Sequence, residues 1–155
     1  GIAKTFEEAL LKGLIAAGQN IKAEGGVLIT VRDSDKGEII PIAEKFADLG
    51  FELYATSGTA NKLNNAMIPT NVVSKISEHK PNSTMDILNS GKISYVISTS
   101  AKGRSPAKDS VKIRRKAVEH GIACLTALDT ANAVADCIAM HKTINDVDLV
   151  DITKI

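Results

Sequence analysis

Val27-Leu28-Ile29-Thr30-Val31-Arg32-Asp33-Ser34-Asp35-Lys36 and Phe51-Glu52-Leu53-Tyr54-Ala55-Thr56-Ser57-Gly58-Thr59 are the stretches that decide the fold. Each is a short apolar run that breaks into polar residues just before a helical pattern. A strand that is apolar on consecutive residues is buried on both faces, which is the signature of a parallel sheet covered by helices. In open sheets of that kind ligands bind beyond the carboxyl ends of the strands. The second break offers Thr56, Ser57 and Thr59 hydroxyls, Gly58 and a helix start. Backbone N–H groups at a helix start, hydroxyls and a glycine that permits close approach all suit an anion.

The same alternation runs along the rest of the chain. Thr5 reads as the cap of a first helix, with Glu8 three residues on and Phe6, Ala9, Leu10, Leu14 and Ala17 at helical spacing. After a strand at 26–31 comes a helix at 37–49, with Ile39, Ile42, Ala43, Phe46 and Leu49 on one face and Gly50 at its end. A strand at 51–54, a helix at 59–65, a strand at 71–74, a helix marked by Ile87 and Leu88, and a strand at 93–98 follow. A loop at 101–106, a helix from Asp109 or Ser110 to His120, a strand at 122–125 and a helix at 130–140 complete the pattern. Five apolar strands separated by helices predict one α/β domain, a three-layer sandwich around a parallel sheet. The last residues, 146–155, show no clear pattern.

Composition excludes several classes. With 155 residues, 44% hydrophobic and 24% charged, the chain is of ordinary globular character and long enough for one core. A net charge of +1, no Trp and few aromatic residues give neither the field nor the stacking surface expected of a nucleic-acid binder. Its apolar runs are far shorter than the roughly 20 residues of a membrane span, and residues 1–8 lack signal-peptide order, so a cytoplasmic protein is expected. Gly1 opens the chain without a Met and a helix follows at once, which suggests a segment of something longer. Cys124 and Cys137 lack metal spacing and stand in apolar surroundings, as buried free thiols do. His79, His120 and His141 are too dispersed for a ligand set, and the run Lys108, Lys112, Arg114, Arg115, Lys116 reads as a solvated helix face.

A parallel sheet gathers the loops 30–36, 55–59, 74–82, 98–105 and 126–130 on one rim. Lys36 stands there at an expected helix start, where a cation opposes the macrodipole unless it serves a bound anion. Lys75 follows the third strand, and Thr30, Ser98, Thr99 and Ser100 bring hydroxyls to the ends of the first and fourth. Asp33 and Asp35 lie two apart in a loop, while Asp86 and Asp109 read as early-helix residues, so no acid–base pair stands out. There is no Walker loop, dinucleotide fingerprint, nucleophile elbow or H-E-x-x-H.

The segments LITVRDSDK, GFELYATSGTA, VVSKISEHKPN, DILNSGKISYVISTS, DSVKIRRKAVEHGIACLT and DTANAVADCIA, in this order, resemble the C-terminal, methylglyoxal-synthase-like allosteric domain of the carbamoyl-phosphate synthase large chain. The likeness spans about residues 5–141. It implies a sheet in the order 3-2-1-4-5 and a division into a connecting helix at 1–22, a regulatory domain at 23–145 and a tail at 146–155. It implies a nucleotide effector, UMP or IMP, held at Thr30, Lys36, Thr56, Ser57, Gly58, Thr59, Lys75, Ser98, Thr99 and Ser100. Lys36 and residues 56–59 would hold phosphate, and Lys75 with residues 98–100 would lie nearer ribose and base. The parent enzyme would be a glutamine-hydrolysing, ATP-dependent ligase of pyrimidine or arginine biosynthesis. Its partners would be the rest of the large chain, the small glutaminase chain and possible further copies. No cofactor is expected in this domain; ATP, Mg and K belong to the synthetase domains. Ser98 replaces the family's usual asparagine, and Thr30 a common serine.

Two relatives of the fold offer alternatives. Methylglyoxal synthase, a lyase acting on dihydroxyacetone phosphate, resembles this chain in the first-strand lysine and the phosphate loop. Its Gly-rich catalytic loop with an aspartate is replaced here by Ser77-Glu78-His79-Lys80-Pro81-Asn82. IMP cyclohydrolase shares the first loop but carries a long lysine- and histidine-bearing segment absent here. A urea-cycle synthetase would bind N-acetylglutamate, with little use for a phosphate loop. The resemblance therefore implies a domain that binds and does not catalyse.

Overall fold

The computed structural model describes residues 1–99 and 109–155; Ser100 and the loop expected at 101–106 lie outside the described residues. Among the described residues five strands form one sheet, β1 (Gly26–Thr30), β2 (Glu52–Thr56), β3 (Thr70–Val73), β4 (Ile93–Ser98) and β5 (Ala123–Leu125). Every pairing is parallel and the order is β3-β2-β1-β4-β5, the expected one. The helices are α1 (Phe6–Ala16), α2 (Ile39–Asp48), α3 (Ser57–Asn65), α4 (Thr84–Asn89), α5 (Asp109–Glu119) and α6 (Leu128–Ala139).

Side chains alternate across each strand, so one run of apolar residues supplies two cores. Val27, Ile29, Leu53, Ala55, Tyr95 and Ile97 face α2, α3 and α6, whose Phe46, Ala60, Leu63 and Val134 meet them. Phe46, Phe51 and Tyr95 interlock at its centre with ring centroids 5.5, 6.0 and 5.8 Å apart. Such pairs contribute about 0.5–1.5 kcal/mol beyond the area they bury. Leu28, Tyr54, Val73 and Val96 point the other way, into a smaller core closed by Ile87 and Leu88 of α4 and Ile113 and Ala117 of α5. Burial pushes the Tyr95 phenol up to about 12, and its hydroxyl donates to the Lys22 carbonyl at 2.7 Å.

Several boundaries differ from the sequence expectation, each for a local reason. β2 continues to Thr56 and α3 starts at Ser57, so the Thr-Ser-Gly-Thr stretch is a direct strand-to-helix junction and not a free loop. α2 starts at Ile39 and not at 37, because residues 33–35 first make a 3-10 turn. α6 starts at Leu128, whose side chain is drawn into the core, earlier than the expected residue 130. On α1 the expected apolar face is rotated: Phe6 is 67% exposed, while Leu11 and Glu8 are buried. Thr5 does cap that helix, accepting from the Glu8 N–H at 3.3 Å.

α1 lies against α6 and is tied down by polar contacts at several points. The Cys137 thiol donates to the Glu7 carbonyl at 3.2 Å, and the Glu8 carboxylate pairs with Lys12 at 3.7 Å and Lys142 at 3.5 Å. The tail folds back here too, with the Asp148 N–H donating to Glu8 at 3.4 Å and two 3-10 turns at Ile144–Asp146 and Ile152–Lys154. No helix among the described residues is long and apolar enough to cross a membrane.

Candidate functional site

Lys36 does not start a helix. It closes the 3-10 turn Asp33–Asp35 after β1, and its ammonium pairs with the Asp33 carboxylate at 2.6 Å. That turn aims the lysine at the neighbouring strand end. A Cβ built on Gly58 would meet the Lys36 Nζ at 2.7 Å, so the ammonium rests directly on the first turn of α3. Glycine is what lets it come so close.

The same turn of α3 is electrostatically open. Thr56 occupies the N-cap but makes no side-chain capping bond, so the first N–H groups lack that acceptor. A helix start already carries partial positive charge, and a lysine above it raises that charge further. A cation in this position is favourable only with an anion between it and the helix. Asp33 partly answers that need: the hydrogen bond and charge of Lys36, and then the charge of Lys75, hold its carboxyl below the usual range. Lys75, exposed at the end of β3, therefore acts on the same place as Lys36. Thr59 is 1% exposed beneath the first turn of α3, whereas Ser57 and Gly58 are on the surface.

Strand register groups the hydroxyls. Thr30 of β1 pairs with Ser98 of β4, and Ile29 with Ala55 sets Thr56 at the same level on β2. All three point to the α4 and α5 side, because they alternate with Ile29, Ile97 and Ala55 of the larger core. The Thr30 and Ser98 hydroxyl oxygens are buried and have no hydrogen-bond partner among the described residues. Buried polar atoms are nearly always paired, so two adjacent exceptions mark this corner.

Thr99, next along β4, turns to the other face. Its hydroxyl oxygen accepts the Arg32 N–H at 3.1 Å, and its own N–H donates to the Thr30 carbonyl at 3.2 Å. Arg32 Nε pairs with Asp35 at 2.8 Å. The Thr99 hydroxyl first, and then Arg32, hold the buried Asp35 carboxyl below its usual range against the opposing effect of burial. These residues line a cavity of about 390 Å³ with Thr126, Leu128 and Asp129. Thus the structure brings Lys36, Gly58, Lys75, Thr56, Thr30 and Ser98 to one corner of the rim and gives Thr99 to the next.

Three features were not legible as site residues in the sequence. Thr84 on α4 is 1% exposed and its hydroxyl oxygen also has no partner. Its position three residues before Ile87, on the inward helix face, is the signal that could have found it. Asp109, expected as an early-helix residue, does start α5, and its carboxylate accepts from both the N–H and the hydroxyl of Ser77 at 3.3 Å. The Arg32–Asp35 pair spans one turn of the first loop. Asp86, expected as an early-helix residue, lies in the first turn of α4 and forms a capping box with Ser83.

Among the described residues no group of three His, Cys, Asp or Glu side chains is placed to hold a metal ion. Both cysteines are free; Cys137 is buried as expected, but Cys124 is only half-buried, being near the sheet edge on β5. Burial raises both thiols, consistent with inert side chains.

The family model for the MGS-like domain matches residues 38–126, more than half of the chain, and includes the 56–59 junction, Lys75 and Ser98. Thr30 and Lys36 precede the matched stretch. Among solved structures, methylglyoxal synthase from Elizabethkingia anophelis NUHP1 is similar with a TM-score of 0.61, at 15% identity over 74% of this chain and 79% of that one. At that identity the likeness concerns the fold alone. By family model and architecture together, the chain belongs to the MGS-like domain family.

Proposed function

We propose that this chain is a regulatory domain that senses a nucleotide monophosphate, UMP or IMP, without catalysing a reaction on it. The observation that carries the reading is the Lys36 ammonium resting on Gly58 at the uncapped start of α3. Phosphate between them would be held by N–H groups, the helix start and a cation at once. The ribose and base would extend toward Lys75 and the β4 end. In this reading the domain belongs to the large chain of a glutamine-hydrolysing carbamoyl-phosphate synthase in the cytoplasm. Residues 1–22 would connect it to a preceding synthetase region, where ATP, Mg and K would act. Control requires an effector affinity that differs between two states of the whole enzyme, typically by about 1–3 kcal/mol.

Calorimetric titration of the chain with UMP, IMP and N-acetylglutamate tests it. Lys36→Ala should weaken nucleotide binding about 10- to 100-fold, the worth of a charged hydrogen bond. Equal binding by the variant, or binding of N-acetylglutamate alone, overturns the assignment.

A lyase acting on dihydroxyacetone phosphate is the second reading. What favours it is Glu78, which lines the same surface cleft as Ser57, Ser74 and Lys80 and supplies a carboxylate near the α3 start. Methylglyoxal release from dihydroxyacetone phosphate that disappears in Glu78→Gln would replace the regulatory reading with this one.

A further inference from the structure

Thr30, Thr84 and Ser98 each bury a hydroxyl oxygen that has no hydrogen-bond partner among the described residues. Ser98 is 0% and Thr84 1% exposed. Two of the three are neighbours by strand register. The third arrives from the helix above. Ile87 and Leu88, three and four residues after Thr84, pack with Leu28 and Val96 of the sheet in the smaller core. Because α4 returns from β3 to the start of the parallel strand β4, it runs against the strands, and Thr84 lies one turn nearer the carboxyl edge than Ile87. The next residues toward that edge on the same strand face, after Leu28 and Val96, are Thr30 and Ser98. Thr30 and Ser98 therefore face α4 from the sheet, and Thr84 comes toward the same carboxyl edge from the first turn of α4, beside the end of β3.

Among the described residues nothing employs the Thr84 hydroxyl. Its N–H donates to the Ser74 carbonyl at 2.9 Å, and capping of α4 is done by Ser83 and Asp86. An apolar side chain of the same shape would serve the unliganded fold better, since an unpaired buried hydroxyl is a net cost. We infer that Thr30, Thr84 and Ser98 form a shelf that binds the oxygens of the phosphorylated ligand, with Thr84 a direct contact to it. A hydroxyl both donates and accepts, which fits phosphate oxygens and sugar hydroxyls alike. The inference rests on the anion-site reading above, and the shelf opens at the strand ends where Lys36 and Lys75 stand.

Thr84→Val removes the hydroxyl while keeping the shape. The unliganded variant should melt at the same temperature as the parent chain or higher, and should bind ribose 5-phosphate about tenfold more weakly. Thr84→Ser should restore most of the affinity. Inorganic phosphate as a second probe separates the two ligand parts. A loss seen with both probes assigns the shelf to phosphate, and a loss with ribose 5-phosphate alone assigns it to the sugar; either supports the inference. Unchanged binding of both probes by Thr84→Val overturns it. So does a lowered melting temperature with lost binding that Thr84→Ser does not rescue, which would make the residue structural. Lys36→Ala is the separate control. If it binds like the parent, or the parent binds neither probe, the anion-site reading itself fails; if it loses binding while Thr84→Val does not, only the shelf fails.

Discussion

The two faces of the sheet end differently at the rim. On the side of α2, α3 and α6, a core of twenty buried residues among those described closes at the top with an ion-paired cap, in which Arg32 Nε meets Asp35 at 2.8 Å and the Arg32 N–H donates to Thr99. On the side of α4 and α5, a core of ten ends in the unpaired hydroxyls of Thr30, Ser98 and Thr84. The first face holds the molecule together, and its polar groups are spent on one another. The second keeps polar groups in reserve. Sites for ligands are built at some cost to the fold, and in the reading proposed above the thinner face bears it.

The largest test of this contrast is in the thick core. Phe46→Ala empties the centre of the ring cluster and should lower stability by about 3–5 kcal/mol, read from urea denaturation. A loss well under 2 kcal/mol would mean that the face is not the main support. Next comes the carboxylate beside Lys36. Asp33 competes with an incoming anion for the ammonium, and its side chain is 94% exposed, so it holds little else in place. Asp33→Asn should strengthen phosphate binding by a few-fold, since it removes one exposed negative charge that competes for the ammonium. Weaker binding would recast Asp33 as the group that positions Lys36.

The smallest effect concerns pH. Asp35 is held below its usual range by Thr99 and Arg32, so it contributes stability above that range. This contribution is lost as pH falls below about 4, through the lowered folded value. Asp35→Asn should therefore be less stable than the parent at pH 7, with a shallower loss on acidification. The residual slope should persist, because Glu8, Asp146 and Asp151 are lowered as well. An unchanged acid slope would show that the polar cap of the thick face is not a stabilising one.

Much was legible in one dimension. The near-continuous apolar runs at 27–31 and 93–98, in alternation with helical patterns, point to strands buried between two layers of helices and so to a parallel sheet before any contact is known. That in turn puts Lys36, Thr56, Gly58, Thr59 and Lys75 on a common edge, and Thr5 with Glu8 announces the first cap. What sequence could not supply is direction at the level of single side chains. Ser98 and Thr99 are equivalent as letters, but the strand's two-residue period sends the first to the hydroxyl corner and the second to the Arg32–Asp35 cap. Phe6 fits a helical stripe, but α1 meets α6 through Leu11, so tertiary packing chose another face. Likewise the approach of Lys36 to Gly58 joins residues on separate elements. Local pattern determines which residues form strands and which end at the rim; only the register of the strands and the seating of the helices decide which of their polar atoms find partners and which stay unpaired.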